Sequence, residues 1–208
     1  MNELPALSYS DRMDRVIVLA MEEILGHAEA EALLPLALPP VHPGQPPGND
    51  QDAEFTRPCL SRLQAAFETV YGIHAGRGLL LRVGRACIKY CLREFGSELG
   101  LTDLAFRLLP LPTRIRTGSE KLAGLFNRIS EESIQLEVDE RYTTWNFLRC
   151  PLCRERHADS PCCVLAVGLL QEGLFWVSGG RNYLVEETKC IACGDSACTI
   201  VVDRTPMS

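Results

Sequence analysis

The sequence predicts an α+β fold in which an antiparallel sheet of about four strands is packed with helices and closed by a hairpin carrying a metal site. Three observations predict it. Apolar residues recur at helical spacing through most of the first 130 positions, the period changes to two at "SIQLEVDE" (133–140), and seven of the ten cysteines fall after residue 149. Helices, then two strands, a helix and two more strands is the order of a helix-covered antiparallel sheet, not of a doubly wound nucleotide fold. A chain of 208 residues suits one core that buries roughly 70% of its unfolded surface.

The first helix is expected over 11–25, where Met13, Val16, Ile17, Ala20 and Ile24 share a face and Ser10 is placed to cap it. It ends near Gly26 or continues weakly to Leu34. "PLALPPVHPGQPPGND" (35–50) then holds six prolines, which remove backbone donors and exclude helix. Three units follow: residues 1–34 as an N-terminal helix that serves as a dimerisation arm, 35–52 as a proline-rich linker, and 53–208 as the main domain.

A second helix is expected over 54–71, beginning close to Pro58, and Gly72, Gly76 and Gly78 mark a turn. "GLLLRVGRACIKYCLREFG" (78–96) is a long amphipathic helix with Leu80, Val83, Cys87, Cys91 and Phe95 on one stripe. Cys59, Cys87 and Cys91 read most simply as small buried hydrophobes. A short helix near 102–109 precedes the breakers Pro110 and Pro112, and a further helix runs over 117–130. Strands are expected at 133–140 and 142–150, with Arg141 near their tight connection. The almost wholly apolar helix 161–178 has proline in its first turn and Gly179-Gly180 as its stop, and strands follow at 182–189 and 198–204.

Composition narrows the function. A net charge of −6 argues against nucleic acid as a partner, because such surfaces neutralise phosphates with lysine and arginine. The N-terminus lacks the basic leader and apolar run of a secretory signal, and the longest uncharged apolar run, 160–171, is too short for a membrane span. The expected location is cytoplasmic. In that reducing compartment ten cysteines point to metal ligands or reactive thiols instead of a disulfide framework. No glycine-rich phosphate loop is present, so ATP and dinucleotides have no support.

The cysteines cluster around the last hairpin. Thiolates are strong ligands for zinc or iron, and a tetrahedral site wants donors from chain segments that meet in space. A strand, a tight turn and a second strand deliver Glu187 and Cys190 before the turn and Cys198 after it. Gly194 permits a positive φ there, and Asp195 and Ser196 can satisfy donors within the turn. Glu187 shares a strand face with Tyr183 and Val185, Glu186 with Leu184 and Thr188, and the pattern leaves open which face is buried. Other readings stand beside this one. "CPLC" (150–153) and "CIAC" (190–193) together resemble a four-cysteine ribbon site; Cys150, Cys153, Cys162 and Cys193 are candidates for a second metal, an iron–sulfur cluster or, at 150–153, a redox dithiol; His157 is an alternative ligand; and the bland reading is packed thiols with no ion.

The run from "SPCCVLAVGLLQEGLFWVSGG" to "YLVEETKCIACGDSACTIVV" resembles the C-terminal core of the 4-vinyl reductase domain family, in which a cysteine begins a buried glycine-containing helix and a Glu-x-x-Cys-x(7)-Cys element closes the domain. The resemblance covers roughly residues 76–203. It extends to sensor domains of phenol-responsive transcription activators, whose motif holds zinc, and to transport-particle subunits of eukaryotic trafficking. Carried over, it implies Cys163, Glu187, Cys190 and Cys198 as ligands, with Cys163 preferred to Cys162 because five residues separate it from Gly168. This chain departs from the family in its extra thiols.

A site of three thiolates and one carboxylate leaves no open position for water, so its metal would be structural. The resemblance implies a small-molecule-binding module, a sensor or carrier for a hydrophobic, aromatic or tetrapyrrole ligand, braced by zinc. Trp145, Phe147, Phe175 and Trp176 are the candidates to wall its pocket, with ordinary core packing as the bland alternative. Such a module is expected to form a homodimer and to signal through a downstream partner protein. The competing expectation is a reductase or accessory factor acting on a tetrapyrrole vinyl group in (bacterio)chlorophyll synthesis, with an iron–sulfur cluster supplying electrons; a structural interaction module is a third.

Overall fold

The computed structural model describes residues 9–37, 60–129 and 133–207. The expected α+β class is borne out: among these residues seven helices pack with one four-stranded antiparallel sheet. The helices are α1 (Tyr9–Leu25), α2 (His27–Ala37), α3 (Leu60–Tyr71), α4 (Ile73–Phe95), α5 (Leu104–Arg107), α6 (Leu111–Ile129) and α7 (Val164–Ser178). The strands are β1 (Ile134–Val138), β2 (Tyr142–Phe147), β3 (Tyr183–Lys189) and β4 (Cys198–Pro206), in the spatial order β1-β2-β4-β3.

Most of the expected elements lie where the periodicity places them, and the differences have local causes. Only Gly72, at φ 80°, breaks the chain between α3 and α4, while Gly76 and Gly78 are helical. At Gly76 the bare backbone lets α3 close in: a Cβ there would stand 2.5 Å from the Phe67 carbonyl oxygen. Pro112 falls in the first turn of α6, where a missing N–H costs nothing. Gly26, at φ 91°, separates α1 from α2, and α2 runs through Pro35 to a buried Ala37. The expected linker therefore begins later than residue 35; its remainder, with Cys59 and the predicted helix start over 54–59, lies outside the described residues.

The core is built on the contact between α4 and α7. Both helices carry a glycine where they meet: a Cβ on Gly84 would lie 2.1 Å from the Leu165 carbonyl oxygen, and one on Gly168 would lie 2.1 Å from that of Leu81. Backbone therefore packs on backbone, and the register of α7 against α4 is set closely. The rest of the α4 stripe, Leu80, Val83, Cys87, Ile88, Cys91 and Phe95, is buried. α1 covers α4 with Val16, Ile17, Ala20 and Met21. Arg12 pins that contact by pairing with Glu94 at 2.9 Å and Glu98 at 3.1 Å and by stacking 4.3 Å from the Phe95 ring.

Period two is kept along β2 and the first half of β4, while the β3–β4 pairing shifts register between Tyr183 and Val185 and between Glu187 and Lys189. Thr143, Trp145 and Phe147 of β2 and Cys198, Ile200 and Val202 of β4 are buried, with their neighbours half-buried. Pairing sets Trp145 opposite Ile200 and Phe147 opposite Cys198 on one side of β4, and Glu187 opposite Ile200 on the other. Three donor-bearing segments are thereby carried to one end of the sheet, beside the start of α7. Among the described residues no helix is long and apolar enough to cross a membrane.

Candidate metal centre

Four chain segments converge at this end. Cys150 and Cys153 lie in the loop that leaves β2, Cys162 and Cys163 immediately precede α7, Glu187 is on β3, and Cys190 and Cys198 flank the final turn. Cys163 is the N-cap residue of α7, at the positive end of a fifteen-residue helix.

The final turn is a knuckle held by its own backbone. A 3₁₀ turn over Ile191–Cys193 ends at Gly194 with φ 96°. Asp195 Oδ2 accepts the Cys190 N–H at 2.8 Å, and the Ile191 N–H points at Cys198 Sγ, 3.3 Å away. The loop from β2 is tied to it where Ala158 N–H donates to the Ala192 carbonyl at 3.0 Å. The same loop is anchored to the helices: Gln64 Nε2 donates to the Leu152 carbonyl at 2.5 Å, Arg156 pairs with Glu68, and Arg77 bridges Glu68 at 3.0 Å and Ser160 at 3.0 Å.

The resulting sulfur geometry is tetrahedral in scale. With zinc–sulfur bonds of about 2.3 Å, the edge of a tetrahedron is about 3.8 Å. Cys163 to Cys190 is 3.9 Å, Cys163 to Cys198 is 3.8 Å, and Cys190 to Cys198 is 3.8 Å. A carboxylate oxygen of Glu187 completes this group, all four ligand atoms lying within 4.8 Å of one another. A second group of the same compactness is formed by Cys150, Cys153, Cys163 and Cys198.

Glu187 shows what the site is suited to hold. Its Oε2 accepts the Cys163 backbone N–H at 2.7 Å, whereas Oε1 is buried with no partner. Burial pushes its carboxyl up to about 8, against the lowering effect of the hydrogen bonds from Cys163. A buried carboxylate oxygen facing thiols is costly by itself and favourable beside a cation, so the donor set fits a metal ion. Among the sulfurs, Cys190 is held below its ordinary value chiefly by its hydrogen bond with Cys163, whose own thiol is pushed up, first by its contact with Cys150 and then by those with Cys153, Cys162 and Cys190.

The candidate residues named from sequence divide as follows. Cys163, Glu187, Cys190 and Cys198 come together. Packing decides between the two glutamates of β3: Tyr183 and Val185 are buried, and Glu187 shares their face. Cys150 and Cys153 join Cys163 and Cys198, not Cys162 and Cys193. Cys162 is buried 3.9 Å from Cys190 but outside both groups, and Cys193 is exposed, so the ribbon of Cys150, Cys153, Cys190 and Cys193 is not assembled. His157 is exposed. The signal for the Cys150–Cys198 proximity is strand pairing: Phe147 opposes Cys198, and Cys150 follows three residues later.

The aromatic candidates do not wall one pocket. Trp145 and Trp176 line a crevice of about 40 Å³ between α4, α6 and α7, and Trp176 stacks on Phe106 with ring centres 6.3 Å apart. Phe147 lines a separate apolar cavity of about 130 Å³ with Met13, Ile17, Phe126, Leu152 and Ala166. Phe175 lines neither and faces Gly180. The side chains diverge because Phe147 and Trp176 lie toward opposite ends of α7.

No family model matches the chain, and no curated protein matches it, so the likeness to the 4-vinyl reductase family rests on the quoted motifs alone. Solved structures do match. The phenol-responsive sensory domain of the transcription activator PoxR, solved with phenol, aligns with a TM-score of 0.50 at 16% identity over 69% of this chain and 72% of its own. An H-NOX protein from S. oneidensis in the Fe(II)NO state aligns at 0.57 with 9% identity over 97% of this chain and 100% of its own. An oxygen-binding H-NOX domain related to soluble guanylate cyclases aligns at 0.50 with 15% identity over 92% and 93%. At these identities the likeness is one of fold, and the fold is shared with ligand-binding sensor domains.

Proposed function

We propose that this chain is a small-molecule-binding sensor module whose ligand is a compact hydrophobic or single-ring aromatic compound, and whose pocket is braced by a structural zinc ion. The observation that carries this reading is the apolar cavity of about 130 Å³ between α1, α6 and α7, bordered by Pro151 and Leu152 of the loop that bears Cys150 and Cys153. A dry cavity of about 150 Å³ accepts benzene, so the volume matches one ring. A tetrapyrrole would need the helices to part, and the described histidines, His27, His74 and His157, are all exposed. The sensor-domain fold adds support.

Zinc is favoured over an iron–sulfur cluster by compactness. Ligand atoms within 4.8 Å of one another surround a single ion, whereas a cage containing inorganic sulfide must hold its thiolates farther apart. The site is closed, so the ion's part is to fix the start of α7, the knuckle and the β2 loop relative to one another. Ligand occupancy beside Leu152 would then be felt at the loop, and through it by a downstream partner. The homodimer expected from the N-terminal arm would exchange α1, making in trans the Arg12–Glu94 contact that α1 makes within the chain.

Titration of zinc-loaded protein with benzene, toluene and phenol, read by thermal shift and by NMR of the methyls of Leu165 and Leu169, tests the reading. Saturation at one hundred times the dissociation constant stabilises by about 2.7 kcal/mol, and Ala166→Phe, which fills the cavity, should abolish the shift while zinc content stays unchanged. No shift with any of these probes, or an equal shift in the filled variant, would overturn the pocket. Equal oligomeric states for the full chain and for one starting at Asp52 would refute the exchanged arm.

A further inference from the structure

The two four-donor groups share Cys163 and Cys198. We propose that the site is binuclear: two zinc ions held by Cys150, Cys153, Glu187, Cys190, Cys163 and Cys198, with the sulfurs of Cys163 and Cys198 bridging both ions. This rests on the metal reading above and extends it from one ion to two.

The geometry meets the requirement of a shared edge. Two tetrahedra joined along an edge need two bridging sulfurs about one tetrahedral edge apart, and Cys163 and Cys198 are separated by 3.8 Å. Each bridge must also have a terminal donor close by on both sides. Cys150 lies 3.6 Å from Cys163 and Cys153 lies 3.3 Å from Cys198 on one side; Cys190 lies 3.9 and 3.8 Å from the same two sulfurs on the other, where Glu187 completes the set. Zinc–sulfur bonds of about 2.3–2.4 Å over that edge put the two ions roughly 3 Å apart.

Electrostatics favours filling both positions. One ion in the Glu187 group leaves Cys150 and Cys153 buried beside anionic sulfurs without a cation, and one ion in the four-cysteine group leaves Glu187 in the same condition. Fully ionised, the six donors carry six negative charges. One divalent ion reduces this to four and two ions reduce it to two, which is the net charge of an ordinary four-thiolate zinc site. The protein also supplies polar support at the bridges: the Ile191 N–H faces Cys198 Sγ, and Cys163 sits at the N-terminus of α7. The chelating loop is not a free arm, since Gln64 and Arg156 tie it to α3. Thiol protons released on binding pass to solvent, and no electron transfer is involved.

Native mass spectrometry and elemental analysis of the full chain, loaded with zinc in reducing buffer, test the proposal together with X-ray absorption at the zinc edge. Two zinc ions per chain, a zinc–zinc vector near 3 Å, and one remaining ion in Cys150→Ala/Cys153→Ala are the expected results. One ion in the wild-type chain would overturn the binuclear site and leave the single brace standing, and no bound ion would overturn both. If the double variant does not fold, the wild-type absorption spectrum decides: absence of the zinc–zinc vector refutes the bridge.

Discussion

Gly84→Ala should destabilise this protein by about 2 kcal/mol, whereas Gly78→Ala, six residues earlier on the same helix, should stabilise it by about 0.5–1 kcal/mol. The substitution is chemically identical, and only the surroundings differ. A Cβ at position 84 would sit 2.1 Å from the Leu165 carbonyl oxygen, 3.0 Å from its carbon and 3.1 Å from the Leu169 nitrogen, all backbone atoms that cannot rotate aside. Ordinary contact begins at about 3.4 Å, so α4 and α7 must separate by about 1 Å. Overpacking of this kind costs roughly 1–3 kcal/mol, occasionally more, and the gain in helix propensity offsets up to about 1 kcal/mol of it. At position 78 nothing lies within 4 Å, so only the propensity gain remains.

In a domain of this size each kcal/mol moves the midpoint by about 2–4 °C, so the two variants should bracket the wild type by roughly 4–8 °C below and 1–4 °C above. Urea unfolding with an unchanged m value and calorimetry of zinc-loaded protein are the assays. Gly84→Ala should also bind zinc less tightly, because Leu165 is two residues from Cys163 and metal bonds tolerate only about 0.2 Å. Equal shifts of the same sign would refute the close backbone packing of α4 on α7.

Removing the metal should cost far more. If the ion contributes even about 5 kcal/mol of folding energy, a chelator lowers the melting temperature by roughly 10–20 °C, and an unchanged melt after verified removal would contradict the structural role. Glu187→Gln, which replaces the orphaned carboxylate oxygen with a neutral amide, should weaken zinc at least tenfold, or about 1.4 kcal/mol, in competition with a chelating dye; unchanged affinity would remove Glu187 from the ligand set. Cys193→Ser should leave zinc content unaltered and stability within about 0.5 kcal/mol, since this thiol is exposed, while Cys190→Ser, three residues earlier, should release metal. Loss of metal in Cys193→Ser would mean that the knuckle is built differently.

Much of this fold is legible in the sequence because its causes are local. The stripe Leu80, Val83, Cys87, Cys91 announces α4, the alternation over 133–138 announces β1, and Gly179-Gly180 stops α7 with both residues at positive φ. The knuckle is local as well, since Cys190, Gly194, Asp195 and Cys198 are near neighbours in the chain. At Gly76 the sequence is ambiguous, because a glycine that breaks a helix and one that admits a neighbouring helix are the same residue, and Gly78 is simply an exposed helical glycine with nothing within 4 Å.

Tertiary structure alone decided the rest. It selected Glu187 over Glu186, because period two makes both faces of β3 possible until one is laid on a core. It set β4 between β2 and β3, and so brought the loop of Cys150 and Cys153 to Cys198, forty-five residues away from Cys153 in the chain. It also put Trp145 and Trp176 on one cavity, Phe147 on another and Phe175 on neither. Periodicity and turn chemistry act over a few residues and can be read along a chain, whereas the meeting of donors from four segments depends on which strand pairs with which and on how closely two helices approach.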